Sequence, residues 1–317
     1  MLLDISVIFP YFNEQKTIED TLYLISNQSI MPNEVIFVNS SSNDNTSEII
    51  DNWIIKNKDS LNTKFFNLYE GTDTPSSSKN VGIKKSSSNW LAFMDCGLIF
   101  ELDWLEKQWN FIKKNQLEIV SGNVYLSGIG NIDQAAVCQT YGYKRLRPCI
   151  PSSIVKKTIF DKTGLFIEGR RAGYDFAWPL ILKELKIPRG INKEVVLKYN
   201  GVNYGNNLIS ILRKKVIYTK STVGIKYHNL PYYLFLFLIL FILVSLVFPN
   251  AIFPLFLFYI IFRGFLVPIK KSKGFNMLRA NPSLIFWLPT VAIFLDIGGI
   301  IGIFLGLIKY HLQKNIL

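Results

Sequence analysis

The fold is decided by residues 5–39, which read ISVIFPYFNEQKTIEDTLYLISNQSIMPNEVIFVN. An apolar run at 5–9 is followed by Ile18, Leu22 and Ile25 at helical spacing, and a second apolar run occupies 34–38. A strand, a helix and a second strand in this order predict a β–α–β unit, in which the two strands are parallel.

The same alternation continues toward the C-terminus. Asn45 and Glu48 have the spacing of a capping box, which predicts a helix starting near Asn45. Strands are predicted at 64–69, 90–94 and 119–126, and helices from about Ser77, at 104–114 and at 175–186. This order predicts an α/β domain with a mostly parallel sheet.

Residues 89–100, NWLAFMDCGLIF, end an apolar strand pattern on Asp95. Ligands of open α/β sheets bind in the crevice beyond the carboxyl ends of the strands. On its own, a carboxylate at this position is as well explained by a turn or cap as by a functional role. The surrounding sequence has to decide between the two.

The C-terminal part of the chain is strongly apolar, and its pattern leaves no place for a polar helix face. We predict about three membrane-spanning helices, at 231–248, 250–268 and 284–308. Arg263 and Asp296 lie inside these segments, where charged groups are costly and often functional. Snorkelling to the interface explains Arg263 equally well, and a role for Asp296 toward a lipid-linked acceptor is left open.

The formal net charge of +12 is distributed as expected for a membrane protein. Basic residues flank the apolar segments, which favours contact with membrane lipids and argues against a nucleic-acid partner. Three cysteines and two histidines fit neither a disulfide framework nor a histidine-ligated zinc site. The N-terminus has no basic start and is interrupted by Asp4, so we interpret it as a strand rather than a signal peptide.

These observations predict two domains. Residues 1–228 form a cytoplasmic domain with two halves (1–110 and 111–228), and residues 229–317 form an integral membrane domain.

Motifs in the first 110 residues resemble those of family 2 glycosyltransferases with the GT-A fold. SVIFPYFNE (6–14) and VNSSSNDNT (38–46) are similar to the family's SVIIPxYNE and VVDDGSTDGT. SSSKNVGI (76–83) and AFMDCG (92–97) are similar to its GxxxARNxGI and FLDAD. The order and spacing agree, so the resemblance implies a Rossmann-like, nucleotide-sugar-binding α/β domain.

The resemblance implies which residues bind the donor. A nucleotide sugar needs polar groups for its base and ribose and cations for its diphosphate, and helix N-termini favour anions. The positions that match are Pro10, Tyr11, Asn13, Glu14, Asn39, Ser40, Lys79, Asn80 and Asp95. Asp95 is also the expected ligand of a divalent cation, Mg²⁺ or Mn²⁺.

Two departures from the family pattern concern the donor site. Asn39 stands where the family usually has the Asp that recognises uracil. The sequence therefore leaves the identity of the donor's nucleobase open. Asp95-Cys96-Gly97 stands where the family has Asp-x-Asp, so one metal carboxylate is absent. Metal binding would then rest on Asp95, the phosphates and water.

On the acceptor side, FIEGRRAGYDFAWPLILKELK (166–186) resembles the family segment FxExxRAGEDxxxxxRL. Asp175 takes the place of the family's general base, and Tyr174 replaces the preceding Glu. A helix cap is the alternative role for Asp175.

Together these features predict a membrane-anchored inverting glycosyltransferase of polysaccharide or cell-envelope biosynthesis. It would move a sugar from a nucleotide diphosphate to a hydroxyl of a lipid-linked or growing glycan at the cytoplasmic face of a bacterial-type inner membrane. The alternatives are transfer to a polyprenyl phosphate and a non-catalytic nucleotide-sugar-binding scaffold in a glycan assembly complex.

Overall fold

The computed structural model describes residues 2–69, 73–202, 204–226 and 232–314. Contacts divide the chain into two units. Unit 1 comprises Met1–Tyr125 and Leu146–Tyr199, and unit 2 comprises Leu126–Arg145 and Asn200–Leu317. The predicted boundary at 228–229 lies outside the described residues, and the division into a donor half and an acceptor half stays a prediction.

Unit 1 begins with four parallel strands. They are β1 (Leu3–Tyr11), β2 (Pro32–Asn39), β3 (Lys64–Leu68) and β4 (Trp90–Phe93), connected by α1 (Ile18–Ser26), α2 (Thr46–Asn57) and α3 (Pro75–Lys85). β1 pairs with both β2 and β4, and its last residue, Tyr11, is in register with Asn39. Most apolar side chains of β1, β2 and β4 are buried, as in strands covered on both faces, whereas the residues of β3 are exposed or half-buried.

The following elements are shorter and pair differently. They are β5 (Leu98–Ile99), α4 (Trp104–Asn115), β6 (Ile119–Gly128), α5 (Asn131–Thr140), β7 (Arg147–Pro148), β8 (Ile154–Lys156), α6 (Ile159–Thr163), α7 (Tyr174–Glu184) and β9 (Gly190–Val202). The strand order is β3-β2-β1-β4-β8-β6-β9-β5, with β7 beside β6. β4–β8, β6–β8, β6–β7 and β5–β9 are antiparallel, so the sheet is mixed, with β1–β4 as a parallel part.

The predicted α/β class is confirmed, but the capping box at Asn45 is not formed. The Asn45 side chain caps no backbone amide of α2. The carboxylate of Asp44 instead accepts hydrogen bonds from the amide and hydroxyl of Thr46 at 3.1 and 2.5 Å. An Asp beside an Asn offers the stronger acceptor to the same amides, so spacing alone could not identify which residue serves as the cap.

Unit 2 is built from helices. Besides α5, they are α8 (Leu208–Thr222), α9 (Tyr232–Val247), α10 (Ile252–Tyr259), α11 (Val267–Ser272), α12 (Asn276–Ala280) and α13 (Leu284–Lys314). A 3₁₀ turn (Pro249–Ala251) precedes α10, and a π-helical segment (Ile260–Leu266) joins it to α11.

Two continuous helical segments are long and apolar enough to cross a membrane, Pro249–Ser272 and Leu284–Leu312. They correspond to two of the three predicted spans. The remaining predicted span, at 231–248, begins outside the described residues, and its helix α9 has 16 residues. At 1.5 Å per residue, such a helix is about 24 Å long, shorter than the roughly 30 Å hydrocarbon core.

Arg263 and Asp296, the two charged residues inside the apolar segments, form an ion pair. The guanidinium donates to both carboxylate oxygens over 2.8–3.1 Å, and Tyr259 donates to the same carboxylate at 2.9 Å. Gln139 of α5 accepts from Arg263 and donates to the carbonyl oxygen of Leu288 at 2.9 Å. Both charges are thus satisfied within unit 2, so neither snorkelling nor an acceptor role is required to explain them.

Three glycines of α13 allow close packing against α8. A Cβ atom at Gly298 would lie 2.9 Å from the carbonyl oxygen of Leu212, and one at Gly302 would lie 2.8 Å from that of Val216. Gly306 continues the row against Val223. This glycine seam, defined as Gly298, Gly302 and Gly306, lets the backbones of the two helices touch, as small residues do in membrane helix pairs.

Replacing Gly302 by Leu is expected to destabilise unit 2 by roughly 1–3 kcal/mol, since the new side chain would push α8 away from α13. Thermal unfolding of the full-length protein in detergent measures the effect as a lower midpoint temperature. The matched control is Phe304→Leu, which places a Leu on an exposed position of the same helix. Equal midpoints for the two variants would contradict close packing at the glycine seam.

Candidate active site

The loops that follow β1 and β2 are joined by hydrogen bonds at the carboxyl edge of the parallel strands. The Asn13 amide donates to the hydroxyl of Ser42 at 3.1 Å, and the Asn13 side chain accepts from the Asn43 amide at 2.9 Å. Asn13 has a φ of 56°, a left-handed conformation that Asn tolerates better than most residues. An Asn at this position therefore sets the shape of both loops.

Pro10, Tyr11, Asn39 and Ser40 lie at the ends of the same two strands. The buried Tyr11 hydroxyl is hydrogen-bonded to Ser47 at 2.6 Å and to Asn67 at 2.8 Å. Asn39 accepts from the Ser42 amide at 2.7 Å, and the Ser40 hydroxyl contacts that of Ser78 at 2.6 Å. Their side chains thus shape the edge of the sheet, and their contact with a base or ribose stays a prediction.

Glu14 carries a partly buried carboxylate beside the same loops. It accepts a hydrogen bond from the Thr17 hydroxyl at 2.5 Å. Burial raises the pKa of Glu14, and the nearby negative charges of Asp95 and Asp44 raise it further. The charge of Asp95 thus influences Glu14, and a contact of Glu14 with the donor stays a prediction.

Helix α3 reaches this edge because Gly82 allows it to lie directly on β1. A Cβ atom at Gly82 would come within 2.5 Å of the Ile8 side chain, so a larger residue would displace the helix. The buried Asn80 side chain does not point to open space, since it donates to the carbonyl of Phe166 at 2.8 Å and accepts from its amide at 3.0 Å. The side chain of Asn80 thus holds the segment before α7.

The centre of the site is an ion pair between Lys79 and Asp95. The Lys79 ammonium lies 2.6 Å from a carboxylate oxygen of Asp95 and 3.4 Å from the Tyr174 hydroxyl. The Lys79 side chain is 0% exposed and that of Asp95 is 38% exposed. Burial would lower the pKa of Lys79, but the Asp95 carboxylate raises it above its ordinary value, so the ammonium stays charged.

Asp175 lies at the start of α7, close to this pair. Its carboxylate accepts a hydrogen bond from the Gly173 amide at 3.1 Å, but Gly173 occupies the N-cap position of α7 and no side chain caps the helix. The residue is solvent-exposed, yet surrounding protein atoms raise its pKa by desolvation. Tyr174, whose pKa burial raises to about 12, interacts electrostatically with both Asp95 and Asp175. Asp175 is therefore not the N-cap of α7, and its role as a general base stays a prediction.

The sequence did not indicate the contribution of Tyr174, and it left Arg170 and Arg171 as either partners of a carboxylate or phosphate or surface charges. Tyr174 appeared as a departure from the family pattern, but its hydroxyl joins Lys79 to the start of α7. Arg171 lies 5.2 Å from the ring centroid of Phe12, which follows β1. The two neighbouring arginines in the sequence offered a weak signal, whereas the contact with Phe12 depends on tertiary structure.

The residues around Asp95 do not match a divalent-cation site. Among the described ranges, no group of three or more His, Cys, Asp or Glu side chains is arranged to hold an ion. Gly97 provides no carboxylate two residues after Asp95, and one oxygen of Asp95 is already bound to Lys79. Mg²⁺ and Mn²⁺ prefer several oxygen ligands, so this donor set fits them poorly.

Comparison with known protein families gives a match to the first part of the chain. Residues 6–158 match the family model described as glycosyl transferase family 2. Residues 6–158 are therefore similar to a family 2 glycosyltransferase domain. Asp175 and Tyr174 lie beyond the matched residues, so their roles rest on the local motif and on the geometry.

Several curated proteins are similar to this domain. An uncharacterized glycosyltransferase of Haemophilus influenzae is 32% identical over 119 residues, covering 38% of this chain and 46% of the relative. The poly-beta-1,6-N-acetyl-D-glucosamine synthase of Staphylococcus epidermidis is 29% identical, covering 47% and 35%. TarP of Staphylococcus aureus, a poly(ribitol-phosphate) beta-N-acetylglucosaminyltransferase, is 28% identical, covering 40% and 38%. The chain thus spans less than half the length of these relatives.

Solved structures share the fold. The mannosyltransferase PcManGT from Pyrobaculum calidifontis, in complex with GDP-Man and Mn²⁺, aligns with a TM-score of 0.56 at 14% identity, covering 95% of this chain and 88% of that chain. S. aureus TarS 1-349 in complex with UDP-GlcNAc aligns with a TM-score of 0.50 at 15% identity, covering 94% and 90%. At these identities the likeness extends to the GT-A fold alone.

Asn80→Ala is expected to lower the free energy of unfolding by about 1–3 kcal/mol without any donor present, because two buried backbone groups of Phe166 lose their partners. Chemical denaturation measures this change. Asn115→Ala, at an exposed position where the side chain bonds only one backbone carbonyl, is the matched control. Unchanged stability of Asn80→Ala would leave donor contact as the better account of this residue.

Proposed function

We propose that the protein is an inverting glycosyltransferase that moves a sugar from a nucleotide diphosphate to a hydroxyl of a lipid-linked or glycan acceptor. The observation that carries this proposal is the convergence of Asp95, Lys79, Tyr174 and Asp175 at the carboxyl edge of a family 2 domain. An inverting transfer needs one group that anchors the donor and a base on the opposite side of the sugar.

In this proposal Asp175 acts as the general base. Its carboxylate removes the proton of the acceptor hydroxyl while that oxygen attacks the anomeric carbon. The bond from this carbon to the diphosphate oxygen breaks, and the electron pair leaves with the nucleotide. A raised pKa suits the role because a more basic carboxylate accepts a proton more readily.

The acceptor is proposed to lie at a membrane surface. Two candidate spans and the basic residues near them support this placement, with the family 2 domain on the cytoplasmic side. The names of two relatives describe transfer of beta-linked N-acetylglucosamine to polymers, and one structural neighbour is a complex with UDP-GlcNAc. UDP-GlcNAc is therefore the first donor to test, followed by GDP-mannose.

The proposed activity can be tested with the purified full-length chain in lipid nanodiscs. Thermal shift with a panel of UDP-, GDP- and TDP-sugars identifies the donor, and release of the nucleoside diphosphate measures transfer or hydrolysis. Stabilisation by a donor without any turnover in the presence of glycan and polyprenyl acceptors would instead support a scaffold.

Asp175→Asn is expected to reduce kcat by about 10²- to 10⁴-fold, since the amide cannot accept the proton. The wild-type rate should fall as pH decreases through the raised pKa of Asp175, above the ordinary value of about 3.9, because the protonated base is inactive. This acidic limb should disappear in the variant. Rate profiles from pH 4 to pH 9 (roughly the range in which fold and substrates persist) test both expectations.

Asp161→Asn, at an exposed position of α6, is the matched control for this experiment. A variant at Asp175 that turns over normally with a polyprenyl phosphate acceptor would favour the alternative acceptor, because an anionic phosphate needs no base.

A further inference from the structure

The diphosphate of a nucleotide sugar carries two negative charges, and the departing nucleoside diphosphate gains a third when its bond to the sugar breaks, so some positive charge has to compensate it. The resemblance implies a divalent cation at Asp95, whereas the residues present around Asp95 fit such an ion poorly. Lys79 supplies a positive charge at the same carboxylate. The question is which of the two cations the site uses.

The burial of the two partners differs. Lys79 has a 0% exposed side chain, so its ammonium is fixed behind the 38% exposed carboxylate of Asp95. A buried ammonium without a partner is very unfavourable, and the Asp95 carboxylate provides that partner. The pair thus has a net charge of zero, and its accessible end is the second carboxylate oxygen.

This arrangement disfavours a second cation. A divalent ion at the exposed oxygen of Asp95 would lie close to the fixed ammonium of Lys79, and like charges at such short distances repel each other. The position of a second carboxylate is taken by Gly97, and the Glu14 carboxylate is hydrogen-bonded to Thr17. The glycine at position 97, where the family has a second Asp, and the ion pair between Lys79 and Asp95 are independent observations. Both argue against a divalent cation at this site.

We propose that donor binding at this site does not use a divalent cation, an inference that rests on the glycosyl transfer proposed above. Lys79 neutralises Asp95, and the exposed oxygen of Asp95 accepts a hydrogen bond from a hydroxyl of the donor. Lys79 is therefore a positioning residue that acts through Asp95.

In this proposal Arg171 supplies the positive charge that compensates the diphosphate. Its guanidinium lies 5.2 Å from the Phe12 ring, in the loop that follows β1. The segment containing it is fixed to the start of α3, because the Ser77 hydroxyl accepts from the Gly169 amide at 3.0 Å and that of Ser76 from the Arg170 amide at 3.1 Å. Arginine pairs well with phosphate oxygens in this kind of fixed geometry.

The first experiment measures Mn²⁺ binding by electron paramagnetic resonance on the full-length protein, with and without UDP or GDP. The free Mn²⁺ signal is expected to be equal for the wild type and for Asp95→Asn. The double variant Lys79→Met with Gly97→Asp, which removes the ammonium and adds a carboxylate, is expected to bind Mn²⁺. One equivalent bound by the wild type and lost in Asp95→Asn would overturn the proposal.

The second experiment measures donor affinity in EDTA. We expect the wild type to keep its affinity on metal removal, and Lys79→Met to lose about tenfold or more because Asp95 then repels the phosphates. Lys79→Arg should retain most of the affinity, and Lys84→Met, whose side chain is 64% exposed on the same helix, should change nothing. An affinity that falls tenfold in EDTA and returns with Mn²⁺ would overturn the proposal.

The two experiments separate failure of this inference from failure of the proposed function. If no nucleotide sugar stabilises the protein with or without Mn²⁺, glycosyl transfer is wrong. The Mn²⁺ titration of the protein with UDP or GDP still decides whether Asp95 holds a metal.

Discussion

The site depends on the parallel pairing of β1 with both β2 and β4. Tyr11 is in register with Asn39, and Ile8 is in register with Phe93, two residues before Asp95. Because parallel strands end at the same edge of a sheet, three loops that are far apart in sequence meet there. Gly82 adds the fourth component, since it lets α3 lie on β1 and brings Lys79 to Asp95. Without this register, the polar residues that follow β1, β2 and β4 would lie too far apart to form one site.

The strands and the motif positions could be predicted because they depend on local patterns. Apolar runs of strand length identified β1 to β4, and the spacing of Asn13, Lys79 and Asp95 placed them in loops or helix starts at one edge. The strand pattern at 119–126 identified β6, but the antiparallel pairing around it was not predicted, because short strands such as β5 and β7 carry two residues each and leave no periodic signal.

Partners of charged and polar side chains were the least predictable feature. Lys79 and Asp95 were assigned to phosphate and metal separately, and Arg263 and Asp296 were assigned separate roles in the apolar segments. In both cases the structure pairs the residues with each other. Sixteen residues separate the first pair and 33 the second. A pairing over such distances follows from packing, which composition and spacing do not encode. Asn80 illustrates the same point, since its buried amide binds the backbone of Phe166.

The close contact of α8 with α13 bears on how the protein can be prepared. Shortening the chain after residue 226 to obtain a water-soluble enzyme would remove the helix on which the backbone of α8 rests. Leu212, Val216 and Val223, which face the glycine seam, would then be exposed to water. A shortened chain that also lacks α8 would not expose this apolar surface, which would promote aggregation. It is therefore the better starting point for crystallisation of unit 1.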